Sequence, residues 1–443
     1  MQPSFHTPSL SRRDLVRGSA LGTGAAALAA TGLAGGMALA QGAGTRWANT
    51  AAFIDRHVSA GRVPNIVAAL GYGAAAPDII ARGQRLFDGG GAVDGDTLYR
   101  IYSMTKPITA MAAMLCIEDG LFTLDTPLAD VLPAFATMQV QRQYDGPITA
   151  DNLIAAERRI TIRHLLTHTA GLGYSIIQRG PIAQAYNRAG LVPGQVSKLP
   201  IAQQFFGATA APSLETFADR LAELPLVSQP GRRWLYSVGL DLMGRVIEVA
   251  SGQEFNAFLQ TRIFDPLRMH DTGFRVPRRD ADRLTANYFR MGSFPVPIDM
   301  PNNSVYLDAP AFAFGGAGLV SSARDYDRFL AMLAGGGVLD GQRIMAAETV
   351  RLATSNLLPD TLASNGRFSA NGITFDYGAG GLVGTGALAG VYGWMGAAGT
   401  VGMVDMNRGL RLTLMTQYMP AESLPIQAEF PQIVLRDAVA QGR

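Results

Sequence analysis

Tyr102-Ser103-Met104-Thr105-Lys106-Pro107 is the stretch around which the rest of the chain organises itself. Ser103 and Lys106 stand three residues apart at the start of a predicted helix that begins near Ser103. It runs through Ile108, Met111, Ala112 and Leu115 to a stop signal at Gly120, so the two side chains share a face. A serine hydroxyl is a weak nucleophile until a base takes its proton, and a lysine is such a base only when neutral. Burial and the positive end of a helix are the surroundings that favour the neutral amine. A helix-start serine followed by an exposed lysine has the same spacing, so Ser-x-x-Lys alone decides nothing.

The choice of basic residues adds weight to Lys106. Among 37 lysines and arginines only Lys106 and Lys198 are lysine. Arginine does not give up its proton in a protein, whereas lysine can. Lys198 has Gln195 three residues before it, which leaves Lys106 as the lysine with a nucleophile at helical spacing. The lone cysteine, Cys116, sits in the apolar run Met111–Ile117 and reads as a small buried hydrophobe, not a nucleophile. With one cysteine there is no internal disulfide.

The 443 residues are 48% hydrophobic and 16% charged, with a formal charge of +2. That composition suits a globular chain with an ample core. No Lys/Arg run interleaves with aromatics, so the chain has no nucleic-acid footprint. Residues 1–40 read as an address. Ser11-Arg12-Arg13-Asp14-Leu15-Val16 carries the paired arginines of a twin-arginine signal, and Ala38-Leu39-Ala40 supplies a small-residue cleavage site. Gly22, Gly24, Gly32, Gly35 and Gly36 make the intervening stretch a poor membrane span. The expectation is a periplasmic or secreted protein, carried by the twin-arginine export machinery and with no stable membrane anchor.

Residues 41–443 read as one α/β (α+β) unit. Predicted elements are a helix over 45–60, strands over 63–72 and 78–87, and late strands over 378–383, 400–405 and 410–418. The turn Asp405–Gly409 joins the last two, and a closing helix covers 430–439. Between about 120 and 310 the pattern is helices and long loops, and 174–213 lacks periodicity, as a cleft-walling insertion would. Strands at both ends imply a central antiparallel sheet assembled from both termini, flanked by helices and interrupted by an α-rich subdomain.

Tyr-Ser-Met-Thr-Lys-Pro is followed by Asp119-Gly120 and Leu124-Asp125-Thr126-Pro127. Further on come Ile162–Leu172 (Ile-Arg-His-Leu-Leu-Thr-His-Thr-Ala-Gly-Leu), Pro266–Phe274 and Gly315-Gly316-Ala317-Gly318-Leu319. Together these resemble the serine β-lactamase and D-Ala-D-Ala carboxypeptidase superfamily, in the branch holding class C β-lactamases and family VIII carboxylesterases. The resemblance spans roughly residues 47 to 440 and implies the β-lactamase/transpeptidase-like fold, no cofactor and no metal. It implies catalytic roles for Ser103, Lys106 and Tyr236, the last in Trp234-Leu235-Tyr236-Ser237-Val238, whose phenol would relay a proton to the leaving group. It also implies an oxyanion hole from the N–H groups of Ser103 and Ala397, with Trp394 and Gly396 as substrate-binding residues at the start of a cleft-lining strand.

Two departures bear on substrate. Val238 stands where β-lactamases carry the asparagine of Tyr-x-Asn, and Trp394-Met395-Gly396 stands where they carry Lys-Thr-Gly. The first removes an amide contact and the second a carboxylate anchor, while Trp-x-Gly is the pattern of family VIII esterases. His164 and His168 lack the Glu of a zinc-binding His-Glu-x-x-His, so core hydrogen bonding is expected of them. No Gly-x-Ser-x-Gly elbow is present. The resulting expectation is a serine hydrolase working through an acyl-enzyme on small to medium acyl esters. The alternatives are a β-lactamase or D-amino-acid peptidase/amidase with the same machinery, and a penicillin-binding-like protein without turnover.

Overall fold

The strand Asn65–Tyr72 (β1) is apolar on both faces, and alternation along it sorts its side chains into two cores. Val67 and Ala69 face one, Ile66, Ala68 and Leu70 the other. A strand buried on both sides needs a helical layer on each. The computed structural model, which describes residues 46–200, 209–362, 367–370 and 373–442, supplies them. One layer is the helix Ala48–Ser59 (α1) with the closing helix. The other is built from Thr105–Glu118 (α2), Gly239–Ser251 (α3) and Ala323–Ala334 (α4), with the α-rich segment around them.

The sheet has eight antiparallel strands. Asp78–Leu86 (β2) and Gly89–Ala92 (β3) continue it on one side of β1. On the other side come Leu410–Met415 (β8), Val401–Asp405 (β7), Val391–Met395 (β6), Leu382–Val383 (β5) and Asp376–Tyr377 (β4), so the order is β4-β5-β6-β7-β8-β1-β2-β3. The pairing at its centre joins the two ends of the chain, with Val67 opposite Met415 and Tyr72 opposite Leu410. The closing helix, Ile426–Ala440 (α5), is tied to α1 by a shared cap. Asp437 accepts the N–H groups of Asn49 and Thr50 and both of their side-chain donors, at 2.7–3.1 Å. Such capping bonds contribute about 1 kcal/mol each. Among the described residues no helix is long and apolar enough to cross a membrane.

The expected sheet from both termini with a helical middle is found, with differences in detail. The predicted strand over 378–383 is instead a short hairpin, β4–β5, turning through Gly378–Gly381, where the glycines interrupt strand geometry. The predicted strand over 410–418 ends at Met415. Gln417 is buried against Arg100, and Tyr418–Met419 joins a separate three-stranded sheet. The other strands of that small sheet, Asn287–Met291 and Phe294–Asp299, form a hairpin inside the region read as helices and loops. Pro295 and Pro297 mask its strand pattern, since proline is tolerated on an edge strand but lowers the signal for one. Within 174–213 lies a packed helix, Gly180–Arg188, with Ile182, Ala183, Ala185 and Tyr186 buried. Residues 201–208 of that insertion, and the address over 1–40, lie outside the described residues. Cys116 is buried and free, as expected.

His57 on α1 is fully buried against Phe53, with ring centroids 4.7 Å apart, and neither ring nitrogen has a partner among the described residues. Burial above all, then the charges of Arg62 and Arg56, lowers its pKa from 6.5 to about 4. The unfolded chain therefore binds this proton more readily than the folded one, so the associated stability is present above about pH 6.5 and is lost as pH falls toward 4. The Tm is expected to drop across that window, and less steeply in His57→Leu; identical slopes in a pH series of thermal melts would remove His57 as a cause.

Candidate active site

From Thr97 to Cys116 every residue is buried except Ser103, which is half-exposed. The helix proper starts at Thr105, and Ser103 lies in a preceding 3-10 turn, Tyr102–Met104. In that tighter geometry side chains three apart nearly eclipse, which carries Ser103 Oγ to 3.3 Å from Lys106 Nζ. The turn is entered through Tyr102 at φ 41, a left-handed conformation that costs a non-glycine residue about 1–2 kcal/mol. The buried Tyr102 side chain secures it, its hydroxyl accepting from Asn287 Nδ2 at 3.0 Å.

Lys106 is fully buried. Its Nζ donates to the carbonyl of Gly316 at 2.7 Å and lies 4.5 Å from the centre of the Tyr236 ring. The segment Gly315–Leu319 is laced along α2, because Thr109 donates to the Gly315 carbonyl at 2.7 Å and Thr105 accepts the Leu319 N–H at 3.1 Å. Glycine is required for this approach. A Cβ on Gly315 would come within 2.4 Å of the Leu240 carbonyl, and one on Gly316 within 2.5 Å of Asp241. Asp241, on α3, closes the arrangement by accepting the Gly316 N–H at 2.8 Å. Burial raises the Asp241 carboxyl to about 6, against the opposing charge of Lys106.

Tyr236 is half-buried just before α3, and its hydroxyl accepts from the Trp394 indole N–H at 3.2 Å. The phenol oxygen is thus engaged by Trp394, while Lys106 meets the face of its ring. Val238 is completely buried at the N-terminal boundary of α3, so no amide side chain stands there. Trp394 lies near the end of β6, not at its start, and Gly396 and Ala397 fall in the turn between β6 and β7. This turn is pressed against the approach to Ser103: a Cβ on Gly396 would sit 2.4 Å from the Ile101 carbonyl. Gln427 of α5 braces it by donating to the carbonyls of Gly396 and Thr400, at 2.6 and 3.0 Å. Among the described residues neither the Ser103 nor the Ala397 N–H has a backbone acceptor.

The two histidines serve the scaffold. His164 takes part in a reciprocal capping box with Thr161. His168 is fully buried, with Nδ1 3.0 Å from Ser237 Oγ and its ring against Tyr236, and burial followed by the Lys106 charge holds its pKa well below the ordinary value. No group of three or more metal-ligating side chains occurs among the described residues. Asp241 and Gln427 were not among the expected site residues. Asp241 does carry a signal, a lone acid within the apolar run Leu240–Met243. Gln427 carries none, since its role exists only once the closing helix has folded back on the turn between β6 and β7.

Comparison with known proteins bears on the family and the fold. The family model described as "Beta-lactamase" matches residues 60–433. Rv1367c of Mycobacterium tuberculosis is 34% identical over 361 residues, covering 78% of this chain and 84% of that protein. Esterase EstB of Burkholderia gladioli is 32% identical over 374 residues, covering 78% and 82%. The solved structure of EstCE1, "a hydrolase with promiscuous acyltransferase activity", superposes with a TM-score of 0.71 at 24% identity, covering 90% of this chain and 99% of that one. On the family match, the fold and these relatives together, the chain belongs to the β-lactamase family and is a serine hydrolase.

Proposed function

We propose that this serine hydrolase is a carboxylesterase acting on small to medium, largely apolar acyl esters. The observation that carries this reading is the pairing of Trp394 with Tyr236 beside the Ser103–Lys106 contact, because an indole occupies the place of a cationic carboxylate anchor. Val238 supports it, being unable to hold the amide of a lactam or peptide. The name of EstB, an esterase, points the same way. In the proposed reaction neutral Lys106 takes the proton of Ser103 Oγ as that oxygen bonds to the ester carbonyl carbon. The resulting oxyanion is held by the N–H groups of Ser103 and Ala397, each such donor being worth about 3–4 kcal/mol. As the C–O bond breaks, the leaving alkoxide takes a proton delivered through Tyr236, leaving an acyl group on Ser103. Water, deprotonated by the same groups, then releases the acid and regenerates the hydroxyl. The Arg12-Arg13 stretch supports export by the twin-arginine route and a periplasmic or secreted enzyme.

Steady-state hydrolysis of p-nitrophenyl butyrate, abolished in Ser103→Ala, is the expected result. Rapid nitrocefin turnover with no ester cleavage would establish the β-lactamase alternative instead. A stoichiometric burst without turnover on any ester, lactam or D-alanyl peptide would establish the penicillin-binding one. Lys106→Met, of similar length but without a base, is expected to lower kcat/KM for the ester by roughly 10²–10⁴-fold while the thermal melt stays cooperative; an unchanged kcat/KM would exclude Lys106 as the base. Replacing Arg12 and Arg13 by lysine should retain the protein in the cytoplasm, as read by cell fractionation, and unaltered export would refute the proposed route.

A further inference from the structure

Asp241 is a carboxyl group with no exposed surface, placed on the third residue of α3 and five residues after Tyr236. Its Oδ1 accepts the Gly316 N–H at 2.8 Å, and the carbonyl of that same glycine receives Lys106 Nζ at 2.7 Å. Its Oδ2 is also buried and has no hydrogen-bond partner among the described residues. If the role of this side chain were only to hold Gly316, an asparagine oxygen would serve, without the cost of a carboxyl group in a dry site. The titratable groups packed around the same spot are Lys106 from α2, His168 and Tyr174 from the α-rich segment, and Tyr236. Asp241 is the acid in this set. Burial pushes it up and the Lys106 charge opposes that push, whereas His168 is held neutral.

Resting on the proposed Ser103–Lys106 chemistry, we propose that Asp241 is a positioning residue with a double action on Lys106: through Gly316 it holds Nζ within reach of Ser103, and its carboxylate is the countercharge for the ammonium that forms there. The proton accounting is direct. When the Ser103 Oγ–H bond breaks and Oγ bonds to the acyl carbon, the proton passes to Nζ, and a positive charge appears on a fully buried side chain. A carboxylate beside it offsets that charge without further rearrangement, because it is already fixed to the Gly316 N–H. A carboxylate held near an amine favours its protonated form, so removing the Asp241 charge is expected to move the pH dependence of Ser103 activation.

The test is the rate at which a fluorophosphonate labels Ser103 as a function of pH, which reports nucleophile activation whatever the natural ester. Asp241→Asn keeps an acceptor for the Gly316 N–H and removes the charge. Its acid limb is expected to move to lower pH by about one unit or more, and its plateau to fall about tenfold because a weaker base drives the transfer less. Asp241→Glu keeps the charge but displaces the oxygen on Gly316; its midpoint should stay with the wild type while its plateau falls. A purely structural role would lower Tm in both variants and leave both midpoints in place. An Asp241→Asn midpoint equal to that of the wild type overturns the inference. Should that variant not fold, a wild-type plateau in Asp241→Glu overturns it. Wild-type protein that does not label at any pH overturns the hydrolase chemistry as well, whereas labelled wild type with an unmoved variant strikes this inference alone.

Discussion

The structure depends on keeping one lysine amine dry. Moving an ammonium out of water costs several kcal/mol even after relaxation, and Lys106 has no exposed surface. Its neighbours are one carbonyl, one hydroxyl and the faces of two tyrosine rings, Tyr236 the nearer and Tyr174 the farther. Three of these are themselves fixed. The carbonyl belongs to a glycine segment laced to α2, the hydroxyl to a strained turn anchored by Tyr102, and the nearer aromatic face to a tyrosine tethered by Trp394. The fold surrounds this group with elements taken from four separate parts of the chain.

The two-sided core explains how those parts are held. β1 and β8 send alternate residues into opposite cores, so neither can slip by one position without exchanging the two faces. Arg411 of β8 pairs with Asp327 of α4 at 2.9 Å in full burial, and Arg100 pairs with Asp299 where the strand before the nucleophile meets the hairpin Asn287–Asp299. Removing one partner from such a buried pair leaves an uncompensated charge, typically a loss of 3–5 kcal/mol. These ion pairs set register around the site; they stand apart from the reacting groups.

Much of this was legible in the residues. The contact of Ser103 with Lys106 could be expected from their spacing, and the nearness of Trp394 to Tyr236 from resemblance to a motif. The strands of the central sheet were visible because burial on both faces leaves continuous apolar runs. The hairpin Asn287–Asp299 was hidden by its prolines, and the 3-10 turn at Ser103 by the near identity of 3-10 and α patterns over three residues. Asp241 and Gln427 act on backbone groups more than thirty residues away in the chain, Gly316 in one case and Gly396 in the other, and no local pattern encodes a partner at that range. A lone polar residue in an apolar helix was the available hint, and it pointed to Asp241 only.

The pairing of β1 with β8 and the brace from Gln427 also tie the surroundings of Ser103 to the last part of the chain. Ser103 and Lys106 lie within the first quarter of the chain, yet the turn bearing Ala397 and the helix that braces it come from the last fifty residues. A C-terminally clipped chain would keep Ser103 and Lys106 but lack the turn bearing Ala397 and leave the centre of its sheet unfilled. The last helix therefore acts at a distance in sequence, because it braces the turn that lies against the approach to Ser103.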